Sequence, residues 1–463
     1  MNFKSIEELL VYSKRIRGKW VADYNFKNYS LEKNNKGIIG KVVEEGFFGY
    51  KANNIAKADF DKLGVELKVT GLVKRKRNNL ISIKERLVLN MINYFKEYNS
   101  DFESSSFWKK NNHLLIIFYL YEKKDDFNFQ FVESILHRFT DEDLYIIQQD
   151  WKYINRKIVE GKAHELSEGD TMYLGAATKG ANSMSMGPQP GSTVLAKDRA
   201  YTLKPSYMNH LIKQQLLGEK VHSLLDIREI KENTFEMVIK SKLEKFIGYS
   251  TTELITLLNL KINIKAKSVY SSIVNHILGS KLNINYSDEF TKAGIKLKTI
   301  RLNKNNTIDE SMSFPTFTYK EIIEDNWDEN ESETKELFIN SKFLFVVFKF
   351  KNNEYCLHKV LFWNMPIKEI DEFVKPVWKK LKDILLSGKI IQKIDGRGRY
   401  ITNFPHPSFN KVCHVRPHDA KSFAVSRKGF ELPIPDELTK FKSYTKSCFW
   451  LDRRYILKII NNN

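Results

Sequence analysis

Cysteine is scarce and badly placed for pairing. Cys356, Cys413 and Cys448 are odd in number and widely spaced, with no Cys-x-x-Cys, so neither a disulfide framework nor a zinc site is indicated and structural thiols are expected. Long apolar runs are missing too. Leu114 to Tyr121 and Phe343 to Phe348 fall far short of the ~20 residues of a membrane helix and read as buried strands, which leaves no membrane partner. Met1 to Glu8 is acidic and lacks the apolar core of a signal peptide, so a cytoplasmic protein is expected. Acidic residues are in deficit: 56 Asp and Glu against 75 Lys and Arg give a formal net charge of +19. That balance favours a polyanionic partner, nucleic acid ahead of an anionic membrane surface. What is present is 463 residues, 42% of them hydrophobic, enough for two or three domains with sizeable cores.

The stretch Ala58 to Thr70 organises the chain. Its strand Val65-Glu66-Leu67-Lys68-Val69 places Glu66 and Lys68 on one side and Val65, Leu67 and Val69 toward a core, because successive strand side chains alternate faces. Asp59, on the preceding segment, can reach the same point. Two carboxylates beside a lysine form the residue set of a metal-dependent phosphodiesterase, with the carboxylates suited to a hard divalent cation. On spacing alone, Asp-x6-Glu-x-Lys also describes the solvated face of many edge strands. The wider context argues for chemistry. Asp59-Phe60 with Leu63-Gly64-Val65-Glu66-Leu67-Lys68 resembles the active-site strand of the MutH family of GATC-specific endonucleases, members of the PD-(D/E)xK nuclease group. Lys36-Gly37-Ile38-Ile39-Gly40-Lys41-Val42-Val43-Glu44 resembles that family's Lys-Gly-x-x-Gly-x-x-x-Glu helix.

In chain order, Ile6 to Tyr24 has apolar residues at helical spacing with Glu early and Lys and Arg late, and should be a helix. Ile38 to Phe48 reads as a second helix, delivering Glu44 or Glu45 toward Glu66. The basic run Lys74 to Asn79 follows the active strand in a probable hairpin turn, which puts Lys74 and Arg75 near phosphate. Trp108-Lys109-Lys110 precedes a buried strand, and in the resembled family a lysine near this place approaches the DNA. Gly161 to Gly180 and the Gly/Ser/Met/Pro-rich segment Ala181 to Ser192 read as a mobile functional loop. This region resembles the first domain of the two-domain, GATC-cutting restriction enzymes of the Sau-three-A type. His164 and Glu165 have no companions at metal-ligand spacing and read as loop-fixing residues. Asn209 to Ile230 is the expected connection between halves, with Gly218 as a break.

The second half repeats the first. Phe290-Thr291-Lys292-Ala293-Gly294-Ile295-Lys296-Leu297-Lys298 matches Phe60 to Lys68 at an offset of 230 (298 minus 68), and Val346-Val347-Phe348 matches Ile116-Ile117-Phe118 at the same offset. A duplicated domain follows. The helix Lys267 to Asn275 lines up with Lys36 to Glu44, which favours Glu44 over Glu45. In this copy Glu66 is answered by Lys296, Asp59 by Glu289 and Glu44 by Asn275. Two lysines there repel a divalent cation and attract phosphate, so the copy should bind DNA without cutting it. His414-Val415-Arg416-Pro417 resembles the family's Val-Arg-Pro major-groove loop, and Phe449-Trp450-Leu451 its Phe-Tyr-Leu segment. In the first half, Ala176-Ala177-Thr178-Lys179 and Ala200-Tyr201-Thr202-Leu203-Lys204 stand in those places.

The expected fold is therefore mixed α/β: two tandem restriction-endonuclease-like domains, each a mixed sheet flanked by helices around a DNA cleft. Residues 1–215 would be catalytic, 216–230 a linker, and 231–463 an inactive, DNA-binding effector domain. The resemblance implies a type II restriction endonuclease cutting double-stranded DNA at GATC with Mg2+, or Mn2+. Asp59, Glu66, Glu44 and the Leu67 carbonyl would hold the metal, and Lys68 would orient water. Lys36, Lys74, Arg75, Lys179, Tyr201, Lys204, Arg416, Pro417 and Trp450 would contact DNA. A DNA-induced dimer fits this class, and a cognate GATC methyltransferase would be a genetic partner only. The alternatives are a mismatch-repair-type GATC nicking enzyme and a non-catalytic DNA-binding regulator.

Overall fold

The computed structural model describes residues 3–31, 37–50, 57–74, 81–122, 126–180, 185–219, 222–280, 283–327, 332–396, 400–418, 423–425 and 443–462. The chain is a mixed α/β protein of two compact units. The first is Met1–Val238 with Tyr286–Gly294, and the second is Ile239–Asn285 with Ile295–Asn463. The stretch expected as a linker, 216–230, falls within the first unit. Ile230 is buried, and the Gln149 side-chain amide donates to the carbonyls of Ile230 at 3.1 Å and Asn233 at 3.2 Å. The helix Asp288–Ala293 also belongs to the first unit. Its buried Lys292 reaches Asp143 Oδ1 at 2.7 Å, a cation that leaves water only because a carboxylate meets it.

In the first unit the central strand is β1 (Glu66–Lys74), flanked by β2 (Ile81–Ile83), with β3 (Leu87–Met91) following. Then come β4 (His113–Leu120), β5 (Gln130–Arg138), β6 (Leu174–Thr178), β7 (Met186–Gln189), β8 (Ser192–Lys197) and β9 (Arg199–Leu203). One sheet runs β2-β1-β4-β5, a second β3-β9-β6, and β7 pairs with β8. β1 and β4 are parallel. Leu114 to Phe118 is buried without interruption, as a strand covered on both faces must be. The core under this sheet gathers Leu67, Leu115 and Ile117 with Val42, Val43 and Phe48.

Two sequence expectations change here. The N-terminal helix stops at Ser13, where a tighter turn Lys14–Ile16 begins. Gly18 then takes a left-handed backbone (φ +77°) and its amide donates to Phe131 O at 2.9 Å, so the chain leaves helix to bond the edge of β5. The segment expected as a mobile loop is, from residue 185 onward, largely the β7–β8 hairpin.

The second unit contains β10 (Ile295–Leu302), β11 (Met312–Phe317), β12 (Lys342–Lys351) and β13 (Glu354–Asn364). Two short pairs, β14 (Gln392–Ile394) with β15 (Tyr400–Thr402) and β17 (Phe423–Val425) with β18 (Ser443–Thr445), accompany β16 (Cys413–Pro417) and β19 (Ser447–Leu451). Its sheets, β10-β12-β13 and β11-β19-β16, repeat β1-β4-β5 and β3-β9-β6. The common offset does not survive: Glu66 pairs with Leu114 but Lys296 with Phe343, an offset of 229 (343 minus 114) on that strand. The bulges agree, at Phe118/Tyr119 and Val347/Phe348. The second copy is one residue shorter between the paired strands, which alignment by residue number conceals.

Candidate active site

Asp59 reaches the strand because the chain folds back tightly. A short helical turn, Asp61–Leu63, ends at Gly64 in the left-handed region (φ +64°), a conformation that favours glycine. The Phe60 amide donates to Val65 O at 2.9 Å and closes the turn. Asp59 Oδ2 then accepts the Leu67 amide at 3.0 Å, and its own amide donates to Glu66 Oε2 at 3.3 Å. Glu66 is 2% exposed. Its Oε1 accepts from Lys68 Nζ at 2.8 Å and lies 3.4 Å from Lys110 Nζ. Lys68 Nζ also donates to the Leu89 carbonyl of β3 at 2.7 Å. Asp61 points elsewhere, to Lys57 at 3.1 Å on the surface.

Glu44 and Glu45 lie in a helix irregularity that gives them different surroundings. The helix Ile38–Val42 runs on through a π turn, Val43–Phe47, and such turns rotate consecutive side chains apart. Glu45 bonds the Tyr29 hydroxyl at 2.6 Å and Lys27 at 2.7 Å. Glu44 turns toward Asp59 and Glu66: burial, then the charges of those two carboxylates, push its carboxyl up to about 7. Burial raises Glu66 as well, against the pull of Lys68. Among the described residues, the Tyr50 hydroxyl, buried near the same carboxylates, has no hydrogen-bond partner.

A carboxyl pushed up by burial and by its neighbours Asp59 and Glu66 belongs to a donor set that a hard cation would relieve. Among the described residues, no three His, Cys, Asp or Glu side chains already stand in metal-ligating geometry. Asp59 is held by an amide and Glu66 by lysines, contacts that a cation would replace at the same oxygens. The residues thus fit Mg2+ or Mn2+, with the Leu67 carbonyl as the neutral oxygen.

The expected DNA contacts divide. Lys36 and Arg75 lie outside the described residues. Lys74 at the end of β1 and Lys179 after β6 are exposed. Tyr201 cannot read a base: on the central strand β9 it is fully buried, its hydroxyl 3.2 Å from Glu97. Lys204 cannot either, being 4% exposed with its ammonium donating to the Thr171 carbonyl beside buried Asp150. Asp150 itself accepts the amides of Met172, Tyr173 and Leu174 at 2.7, 2.6 and 2.9 Å, so this network fixes the start of β6. Lys110 was the residue missed as a site member; its only sequence signal was its place in Trp108-Lys109-Lys110. His164 is held by Gln189 at 3.0 Å and Glu165 by Lys157 at 2.7 Å, as loop-fixing residues would be.

In the second unit the Val-Arg-Pro segment is a strand, β16, rather than a loop. Arg416 is exposed, its guanidinium 4.0 Å from the Trp450 ring centre, and Pro417 is half-buried. Strand pairing makes Ala177 the counterpart of Arg416 (opposite Ala200 and Cys448) and Thr202 that of Trp450 (opposite Gly175 and His414). Asp59 is not answered by Glu289, which belongs to the first unit and accepts the amides of Leu224 and Leu225 at 2.9 and 3.1 Å. Its place is taken by Asn285, whose Oδ1 accepts the Leu297 amide at 2.7 Å. Asn275 Oδ1 accepts the Ile284 amide at 3.2 Å.

A buried Glu-x-Lys pair on a central strand, with an aspartate folded back onto it and a repeat of both sheets, defines a nuclease of the MutH class. Residues 48–150 match the family described as "DNA mismatch repair enzyme MutH". Over 460 residues the chain is 36% identical to the "Type II restriction enzyme Sau3AI" of Staphylococcus aureus, with 93% of each chain covered. It belongs to that family, the type II restriction endonucleases of the Sau3AI type.

Proposed function

We propose that the first unit hydrolyses phosphodiester bonds of double-stranded DNA at GATC with Mg2+, and that the second unit binds DNA without cutting it and acts on the first as an effector. The observation that carries this reading is the convergence of Asp59, Glu66 and Lys68, set against Asn285, Lys296 and Lys298 in the second copy. Asp59, Glu66, the Leu67 carbonyl and Glu44 would hold the cation, which when bound supplies charge for the phosphoryl oxygens and a more acidic water. The chain's own residues do the rest. Lys68, fixed between Glu66 and the Leu89 carbonyl, orients the attacking water and stabilises developing charge. Lys110 steadies Glu66.

A plasmid carrying GATC sites, incubated with the protein in Mg2+, Mn2+ or EDTA, tests the reading. Fragments ending at GATC only with a divalent cation are the expected result. Products nicked on one strand alone would favour the mismatch-repair type of activity, and intact plasmid under every condition would leave a DNA-binding regulator.

A further inference from the structure

The second copy of the site has more in it than missing acids. Lys296 and Lys298 project from one face of β10, as Glu66 and Lys68 do from β1. With Ser313, Phe314 and Pro315 of β11 and Phe343 of β12 they line a cavity of about 250 Å3. Eight waters would fill it at their ~30 Å3 share of the liquid, room enough for a phosphodiester group. Among the described residues, neither ammonium has a hydrogen-bond or ion-pair partner. Burial lowers the proton affinity of Lys298, and the charge of Lys296 lowers it further, so an anion between them would be welcome to both.

The cavity adjoins the strands expected to meet bases. Ser313 pairs across β11–β19 with Trp450, and Trp450 lies under Arg416. We infer that this pocket, Lys296 and Lys298 with Asn285 behind them and Ser313 at the rim, seats a backbone phosphodiester of duplex DNA without a divalent cation. The inference rests on the reading of the second unit as the non-cutting partner of the first. In the first unit three carboxylates oppose a phosphate until a cation intervenes. Here the cation has been replaced by two covalently attached ammonium groups. The two units then differ in metal requirement: the second engages DNA before any Mg2+ arrives, and the first only with it.

The test uses the full chain and a fluorescent GATC duplex in EDTA, with anisotropy followed across a salt series. Wild type is expected to bind, with affinity falling steeply as salt rises. Lys296→Gln with Lys298→Gln should weaken that binding about tenfold or more and flatten the log–log salt slope by about 0.9, the share of one lost phosphate contact. Lys379→Gln with Lys380→Gln, which removes the same charge from an exposed helix face, should leave the slope unchanged. Thermal melting checks the fold of each variant. Should the double variant not fold, Asn285→Asp returns a carboxylate behind the lysines. It is expected to weaken binding in EDTA and to be rescued in part by Ca2+.

A wild-type slope in the double variant, or wild-type affinity in EDTA for Asn285→Asp, overturns the proposal. So does inorganic phosphate raising the melting temperature of wild type and not of the double variant while duplex affinity is equal in both, since the pocket would then take free anions. Failure of the nuclease reading is seen elsewhere, as intact plasmid in Mg2+.

Discussion

Asn285 Oδ1 accepts the Leu297 amide at 2.7 Å. In the first unit Asp59 does the same for Leu67 at 3.0 Å. An amide oxygen accepts a hydrogen bond as a carboxylate does but brings no negative charge. The exchange keeps the hydrogen bond to the strand amide and removes a charge, so the second copy would not hold the cation proposed for the first.

Glu66→Ala is expected to lower cleavage on the order of 10³-fold or more while specific binding stays within about tenfold, because the carboxylate serves chemistry and phosphate contacts set docking. Asp59→Ala should behave alike. Asp61→Ala should be nearly silent, since Asp61 meets only Lys57 at the surface. Plasmid cleavage alongside duplex binding in Ca2+ measures both; rapid cutting by Glu66→Ala would displace the site from β1.

Lys110→Ala should slow cleavage about 10- to 100-fold, the usual effect of removing a group that orients a ligand carboxylate. It acts through Glu66, 3.4 Å away, so its loss should appear in part as a higher Mg2+ requirement. Titrating Mg2+ against rate in wild type and variant checks this. Lys109→Ala is the comparison.

Tyr201→Phe should leave sequence preference unchanged and lower stability by about 1 kcal/mol, the worth of one buried hydrogen bond. Lys179→Ala, by contrast, removes an exposed cation beyond β6. It should weaken binding to all duplexes similarly and reduce the salt slope by about 1. A competition between GATC and scrambled duplexes separates the two effects.

His414 gives a pH dependence. Its ring is fully buried, neither nitrogen is hydrogen-bonded among the described residues, and burial first, then Arg416, hold its pKa down at about 4. Below pH 6.5 the unfolded chain takes up a proton that the folded one refuses until about 4, so stability falls as pH drops through that window. The slope is at most ~1.4 kcal/mol per pH unit. His414→Phe should remove this part of the acid sensitivity, as denaturant unfolding at pH 7.5 and 5 would register.

If the second unit reads GATC through Arg416, DNA with two sites should be cut faster than DNA with one. A short GATC duplex should stimulate cutting of single-site plasmid, within the 5- to 150-fold range that ~1–3 kcal/mol of coupling gives. Arg416→Ala should abolish the stimulation and spare the basal rate. Equal stimulation by a duplex without GATC would reduce the second unit to an electrostatic clamp.

The active strand was legible because alternation, an apolar neighbourhood and a nearby glycine all point the same way. Glu44 was singled out by the Lys36–Glu44 motif and the repeat, whereas its different surroundings from Glu45 follow from a π turn that no periodicity announces. Tyr201 misled because β9 is buried on both faces along its whole length, and Lys204 because it lies just past that strand, capping the helix Pro205–Gln215 in buried surroundings. The partner of Lys204, Asp150, lies far back in sequence. Asn285 was hidden by spacing: it stands eleven residues before Lys296 (296 minus 285), whereas Asp59 stands seven before Glu66 (66 minus 59). Counting back at fixed distance lands on Glu289, which has a structural task of its own.

The helix Asp288–Ala293 makes the halves poor candidates for separation. A fragment begun at residue 231 would carry Lys292 without Asp143 and Glu289 without the amides of Leu224 and Leu225. It would keep the Phe290 contact with Phe235, 5.9 Å between ring centres, but not the surroundings that keep Phe290 from water. The first half, cut at 230, would lack this helix altogether. Neither piece is a cassette that recombination can pass to another gene intact. A gene shortened at residue 230 would also lose a helix that belongs to the first unit, so the first repeat's own folding ties it to sequence that lies inside the second.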